Sequence, residues 1–383
     1  MKLLPLILRN AFRNKRRTIL TILSIGMSLF LISTLKTLVE SLASPPVTPE
    51  SAKRVIVRHQ TSLGNVMPIS YRDRIAQIPG VDRVTASQWF GGVYKDPSLF
   101  FAQFAVDAAS FFDVYSEAKV QSPEQKEAFI KERSASLVGV KLAKRFGWKV
   151  GDRVTLEGVI FPVNVETTIR GIVNGGGSEV TMYFHYDYFN ELLGGNFDQV
   201  GTFTVKAKSA DDVAAISEAI DSTFQNSTAP TKTETEQAFV LGFASMWGDV
   251  RTLVVSISTI VLFTVVLVAA NTMAMSIRER TGEIAILKTL GFSPGVVLSM
   301  MITESVVIAT VGGVGGTLVA KVLFGSLDMQ MWSGGFLPQF NVAGSTVLMS
   351  LGIALIVALA STAFPAWSAS RIPIADAVRR RGE

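Results

Sequence analysis

The chain has 383 residues, 48% of them hydrophobic, with no cysteine, two histidines and a formal net charge of +5. Without cysteine there is no thiol chemistry and no disulfide to staple a domain. His59 and His185 lie far apart with no acidic ligand spacing near either, so no metal site is expected. The apolar residues gather in four windows, 18–38, 253–275, 296–324 and 343–367. Each is near or above the roughly 20 residues that cross a bilayer. The expected fold class is therefore an integral membrane α-helical protein with four transmembrane helices and one large water-exposed α+β domain on helical stalks.

In chain order, residues 1–17 hold Lys2, Arg9, Arg13, Lys15, Arg16 and Arg17 with no acid, a basic amphipathic lead-in suited to the inner membrane surface. Residues 18–44 form the first transmembrane helix and stalk, with Lys36 and Glu40 near its outer end and Pro45-Pro46 stopping it. Ser41-Leu42-Ala43 resembles a signal-peptidase site, but the apolar stretch exceeds the usual length of a cleaved segment, so an uncleaved anchor is expected. Residues 45–234 have soluble composition. Strands are expected at 54–58, 81–87 and 100–106, and a helix at 70–78. A second, strand-rich subdomain covers about 107–201. Within it, residues 136–147 read as a helix stopped by Gly147, residues 149–156 as a turn and strand, and 161–171 and 181–185 as strands. Gly175-Gly176-Gly177 lacks the lysine and hydroxyl of a phosphate loop and reads as a turn. A strand at 202–206 and an amphipathic helix at 210–224 return to the first subdomain.

Residues 235–277 read as one stalk and second transmembrane helix. Phe239, Phe243, Met246 and Trp247 keep helical spacing before the apolar run begins, and no proline interrupts them. At 1.5 Å per residue such a helix would be roughly 64 Å long, about twice a bilayer core. Residues 278–293, RERTGEIAILKTLGFS, are the densest charge cluster of the second half. Ile284, Leu287 and Leu290 recur every third residue and Ile286 widens their face, while Gly291 is placed as a helix stop and Ser293-Pro294 as the start of the next helix. Such a helix either lies on lipid or fits a groove on a cytoplasmic partner.

The third span, 294–324, contains Gly312 and Gly316, a small-xxx-small pair that permits close helix contact within the chain or with a neighbour. Glu304, about two turns in, is either a transport site or an acid near the interface paired with a basic residue. A short outer loop (325–342), a fourth span (343–367) and a tail (368–383) with Arg371, Arg379, Arg380 and Arg381 complete the chain. Basic residues thus dominate the lead-in, the connector and the tail, and acids slightly outnumber them in the large domain. Both termini and the connector are expected in the cytoplasm. The net charge reports topology, and no nucleic-acid partner is expected. No G-x-x-x-x-G-K-[ST] occurs, so any ATP that drives this protein would be bound by another polypeptide.

Four stretches carry a family resemblance: LRNAFRNKRRTILTIL at 8–23, LVGVKLAKRFGWKVGD at 137–152, RERTGEIAILKTLG at 278–291 and PAWSASRIPIADAVR at 365–379. Together with the order of one span, a large domain and three spans, they resemble the MacB/FtsX-type permeases of ABC systems, the type VII ABC fold, over essentially the whole chain. The resemblance implies a MacB-like periplasmic core domain and a multi-pass protein of the bacterial inner membrane. It further implies a dimeric permease core, with a second copy or a paralogue, bound to two cytoplasmic ABC ATPase subunits that hold the ATP and magnesium. A periplasmic adaptor or substrate carrier is a further implied partner. The ATPase-coupling residues would be Arg278, Glu279, Arg280, Gly282, Glu283, Ile284, Ile286, Leu287, Lys288, Leu290 and Gly291. The implied activity is mechanotransmission with no catalysis in this chain, serving export or efflux, or lipoprotein or lipid extraction. Control of cell-wall enzymes fits the same architecture, and a membrane-anchored sensor without ATP coupling is the rival from another class. MacB proper carries its ATPase at the amino terminus, whereas this sequence opens almost directly at the first span, so the separate-ATPase members are the expected comparison.

Overall fold

The structure, a computed structural model, describes residues 14–43, 48–245, 250–332 and 340–370. The basic lead-in before residue 14, Met246, Trp247 and the tail beyond residue 370 lie outside the described residues. The chain separates into two compact units. One is helical, within 1–41, 248–328 and 340–383; the other is an α/β unit of residues 42–247 with 329–339.

The chain opens with α1 (Lys15–Ala43). The α/β unit then runs through β1 (Arg54–His59), β2 (Met67–Pro68), α2 (Tyr71–Ala76) and β3 (Val81–Trp89). Next come β4 (Ala102–Val106), α3 (Ala108–Val114), β5 (Lys119–Val120) and α4 (Pro123–Lys131). The side chain of Asp107 accepts from the Ala109 N–H to start α3, and Pro123 occupies the first turn of α4, where no N–H is needed. Then follow β6 (Ala135–Gly139), α5 (Val140–Phe146), β7 (Arg153–Leu156) and β8 (Val165–Asn174). The unit continues with β9 (Thr181–His185), α6 (Tyr186–Leu192), β10 (Gln199–Val200), β11 (Thr202–Ala207), α7 (Val213–Phe224), β12 (Thr231–Thr235) and α8 (Glu236–Ser245). The remaining helices are α9 (Val250–Glu279), α10 (Thr281–Thr289), α11 (Pro294–Ser326), α12 (Met329–Trp332) and α13 (Gly344–Ser370).

All the long strands join one ten-stranded sheet, ordered β12-β1-β11-β3-β4-β9-β6-β8-β5 with β7 on β8. The first five are antiparallel, and β4 then pairs in parallel with β9. Strands from 107–201 and strands from the flanking segments are therefore halves of one sheet, joined at the β4–β9 pair. The stretch 136–147, expected as a single helix, is a strand followed by a helix. Ala135–Gly139 is buried throughout, between β9 and β8, and a short apolar run of that kind carries no period that separates strand from helix. Gly139 makes the turn into α5, since a Cβ there would lie 2.3 Å from the Glu179 carbonyl. Gly147 does end α5, at φ +69°.

Two clusters fill the α/β core. The larger includes Val57, Phe90, Phe184, Phe203 and Ile220, and the smaller is built on Phe111, Phe129, Leu137 and Val173. Helix α7 supplies Val213, Ile216, Ile220 and Phe224 at helical spacing, and Tyr71 of α2 stacks on Phe224 with ring centroids 4.0 Å apart. His185 is buried at the end of β9, its Nε2 against the Phe129 carbonyl. Burial holds its imidazole below the usual range, and the bond to Phe129 offsets this only in part. The unfolded chain therefore takes up a proton that the folded chain refuses. Stability is complete above the free imidazole value of about 6.5 and falls as the pH drops from there through the folded value. Thermal midpoints measured from pH 7 to pH 5 should decline in the native protein and decline less in His185→Gln.

In the helical unit, α1, α9, α11 and α13 are each long and apolar enough to cross a membrane. Their shared core includes Ile25, Leu29, Val265, Ala269, Ile308 and Ala354. Gly312 and Gly316 turn towards α1. A Cβ on Gly316 would stand 2.0 Å from the Gly26 carbonyl oxygen and one on Gly312 2.8 Å from that of Ile22, so the pair serves a contact within the chain. One turn beyond Gly313, Thr317 hydrogen-bonds Ser33 at 3.1 Å. The expected continuous helix over 235–277 is seen as α8 and α9, and residues 246–249 between them lie outside the described residues.

Candidate functional site

The charged connector folds as α10, a helix of its own between α9 and α11. Its end is fixed by glycine. Gly291 adopts φ +89°, the Phe292 N–H reaches the Leu287 carbonyl at 3.1 Å and the Gly291 N–H reaches that of Lys288 at 3.1 Å. This closing motif satisfies two carbonyls that would otherwise be orphaned, and it turns Phe292 back against the Leu287 side of the helix. Pro294 then occupies the first turn of α11.

The apolar residues of α10 occupy two faces. Ile284, 5% exposed, packs with Ile277 of α9, Val297 of α11 and Ala366 of α13, and half-buried Leu287 joins the same cluster, while Ala285 is 2% exposed. Ile286 is 47% exposed and Leu290 70%. The expectation that Ile284 and Leu287 belong to an outward face is thereby corrected. Three neighbouring helices cover Ile284, so it seats the helix and its surface is unavailable. The outward apolar stripe is Ile286 and Leu290, with half-buried Gly282 one turn before Ile286 on the same side.

The charged residues brace this helix. Arg280 donates from Nη1 to Glu304 Oε2 at 2.8 Å and from Nε to Glu283 Oε2 at 3.2 Å. Glu304 is buried on α11, and burying a carboxylate is costly unless it is paired; Arg280 is that partner. Glu304 borders a small cavity lined by Met273, Ser276, Arg280, Met301 and Thr362. Beside it, Thr362 of α13 donates to Ser305 at 2.5 Å. Glu279, exposed, accepts from Arg17 Nη1 at 2.7 Å, and Arg17 Nη2 reaches Ser276 at 2.9 Å. Arg278 is exposed and Lys288 half-buried. The bracing by Arg17, Ser276 and Thr362 was not marked by sequence spacing, since these residues meet α10 and its neighbours only through the helix packing. The stalk residue Phe239 is half-buried on α8, whereas Phe243 lies in the same helix with its side chain outside the described residues, as are Met246 and Trp247.

Among the described residues no group of histidines and acids could hold a metal ion. What the arrangement offers is a helix seated by buried contacts and an ion pair, with an apolar stripe turned outward.

Two family models cover most of the chain. The MacB-like periplasmic core domain matches residues 18–223 and the FtsX-like permease C-terminal region matches residues 255–374. Similar proteins include an uncharacterized ABC transporter permease of Methanocaldococcus jannaschii, 24% identical over 80% of this chain and 77% of its own length. Another is the ABC transporter permease YtrF of Bacillus subtilis, 27% identical over 51% of this chain and 45% of that protein. Solved structures with similarity include the extracellular domain of the ABC-type transporter YknZ from Gram-positive bacteria, at 16% identity and TM-score 0.37, covering 47% of this chain and 99% of that one. The periplasmic region of MacB from Actinobacillus actinomycetemcomitans gives 13% identity and TM-score 0.37, covering 53% and 95%. With the periplasmic core matched over more than half of its length and the permease region following it, the chain belongs to the MacB/FtsX-type ABC transporter permeases, as a multi-pass membrane protein.

Proposed function

We propose that this chain is the transmembrane subunit of an ABC complex and passes ATP-driven motion from cytoplasmic ATPase subunits to its periplasmic domain. ATP and magnesium sit on the partner, two ATPase subunits serve a pair of permease chains, and the complex lies in the inner membrane of a bacterial cell with both termini cytoplasmic. The observation that carries the reading is the division of α10. A helix held by Ile284 and by the Arg280–Glu304 pair is firm enough to receive a push, and it keeps Ile286 and Leu290 free to dock. Export or extraction driven from the periplasmic domain fits this better than passage of a solute past Glu304, because that carboxylate is already neutralised by Arg280. Support for transmission comes from α8, which begins at the residue after β12 with no loop between them.

Leu290→Asp tests the docking. A carboxylate in an apolar groove loses its hydration without gaining a partner, a cost of several kcal/mol. The ATPase subunit should no longer co-purify, while the thermal midpoint of the variant chain alone stays at the native value. A complex that survives the change intact would remove the docking assignment.

A further inference from the structure

Arg54 carries a charge yet is only 2% exposed, a placement that is costly unless every donor finds a partner. Its Nε donates to Glu236 Oε2 at 2.7 Å, its Nη1 lies against the Glu117 carboxylate, and its guanidinium stands 4.8 Å from the centre of the Tyr115 ring. Burial pushes the Tyr115 phenol up to about 12, and its oxygen is 3.0 Å from that of Thr204 on β11, so a neutral wall closes that side of the guanidinium.

The positions of these residues matter as much as their contacts. In the β1–β12 ladder the last rung pairs Val55 with Thr235. Arg54 and Glu236 are the next residue on each side, at the end where the chain enters the sheet at β1 and leaves it as α8. Thr235 caps α8 by accepting from the Ala238 N–H at 3.1 Å, and Glu236 occupies the first, electropositive turn. Glu117 lies between α3 and β5, the strand at the opposite edge of the sheet from β12. It is backed by the glycine turn: a Cβ on Gly175, at φ +92°, would come 2.4 Å from the Glu117 carbonyl oxygen, and one on Gly176 2.9 Å from its Cγ.

We propose that Arg54, Glu236 and Glu117 form a clasp that makes the first turn of α8 part of the rigid α/β domain, so that a tilt of α8 turns the sheet as one body instead of peeling β12 from β1. A ladder pulled at its last rung opens one backbone bond at a time. A charge-assisted bond across the residues beyond that rung holds it shut, and Glu117 ties the same guanidinium to the other half of the sheet. The use of the clasp rests on the reading of α8 as a carrier of motion, but its existence does not.

Hydrogen exchange on the purified full chain, with no ATPase present, tests the clasp separately from docking. In Arg54→Met, amides of β12 and of the first turns of α8 should exchange at least about tenfold faster, while those of β6 and β9 at the sheet centre keep their native rates. Glu236→Gln, which retains the Arg54–Glu117 pair, should show a smaller rise in the same segment. A disulfide across the last rung, Val55→Cys with Thr235→Cys in a chain that has no other cysteine, should restore slow exchange to Arg54→Met. Native rates in α8 of Arg54→Met would overturn the clasp, as would a uniform rise across the whole sheet. If Arg54→Met does not fold, Glu236→Gln decides alone: a local rise supports the clasp and unchanged rates overturn it.

Discussion

Ile284→Asp is expected to unseat α10 and lower the stability of the helical unit by about 3–5 kcal/mol, the usual cost of a buried charge without a partner. Ile284 packs among Ile277, Val297 and Ala366, an apolar cluster with half-buried Leu287, Phe292, Leu298 and Met301 around it. Arg280, one turn before it, is already engaged by Glu304 and Glu283. The variant should show a lowered thermal midpoint in detergent and should also lose the ATPase, because the docking stripe moves with the helix. Ile284→Val, which removes one methylene, should cost only about 0.5–1.5 kcal/mol and keep the partner. The contrast with Leu290→Asp is what gives the pair its force: one position destabilises and uncouples, the other uncouples only. An Ile284→Asp chain with a native midpoint that merely fails to bind ATPase would show that Ile284, not Leu290, is the docking residue.

That contrast also marks how far the sequence could be read. The four spans and the separate helix of the connector are legible because long apolar runs and an amphipathic, glycine-stopped stretch have few alternative fates. The same reasoning could not assign the faces of α10. Ile284, Leu287, Ile286 and Leu290 cover more than one side of a helix, and the choice of the inner side is made by Ile277, Val297 and Ala366 on three other elements. Glu304 shows the same limit: its depth in the span is compatible with two roles, and its pairing with Arg280, 24 residues away, is made by the packing and has no mark in the sequence. In the α/β unit, Ala135–Gly139 is buried on both faces, so its pattern has no period to read. Arg54 and Glu236, 182 residues apart, are brought together by strand register alone. Gly312 and Gly316 were legible as a packing pair, because only a need for close approach explains such spacing in a span, although the partner helix was not.

Gly316→Leu is expected to separate α1 from α11. The α11 backbone at Gly316 lies so close to α1 that even a Cβ would stand 2.0 Å from the Gly26 carbonyl oxygen and 2.7 Å from its carbon. Backbone atoms cannot rotate away as a side chain can, so the helices must move apart by an ångström or more. That shift would break the 3.1 Å bond between Ser33 and Thr317 and loosen Gly313 from Leu29. Overpacking of this kind costs about 1–3 kcal/mol in soluble cores and can cost more where rigid backbone is the obstacle. Gly315→Leu is the matched control, since Gly315 is exposed and nothing lies within 4 Å of a Cβ there. Purified in parallel, Gly316→Leu should show a markedly lower thermal midpoint and reduced yield, and Gly315→Leu should behave as the native chain. Because α11 also carries Glu304, the displacement should reach the Arg280 pair and weaken ATPase binding although no docking residue has changed. Equal stability of the two leucine variants would mean that α1 and α11 are not in backbone contact at this level.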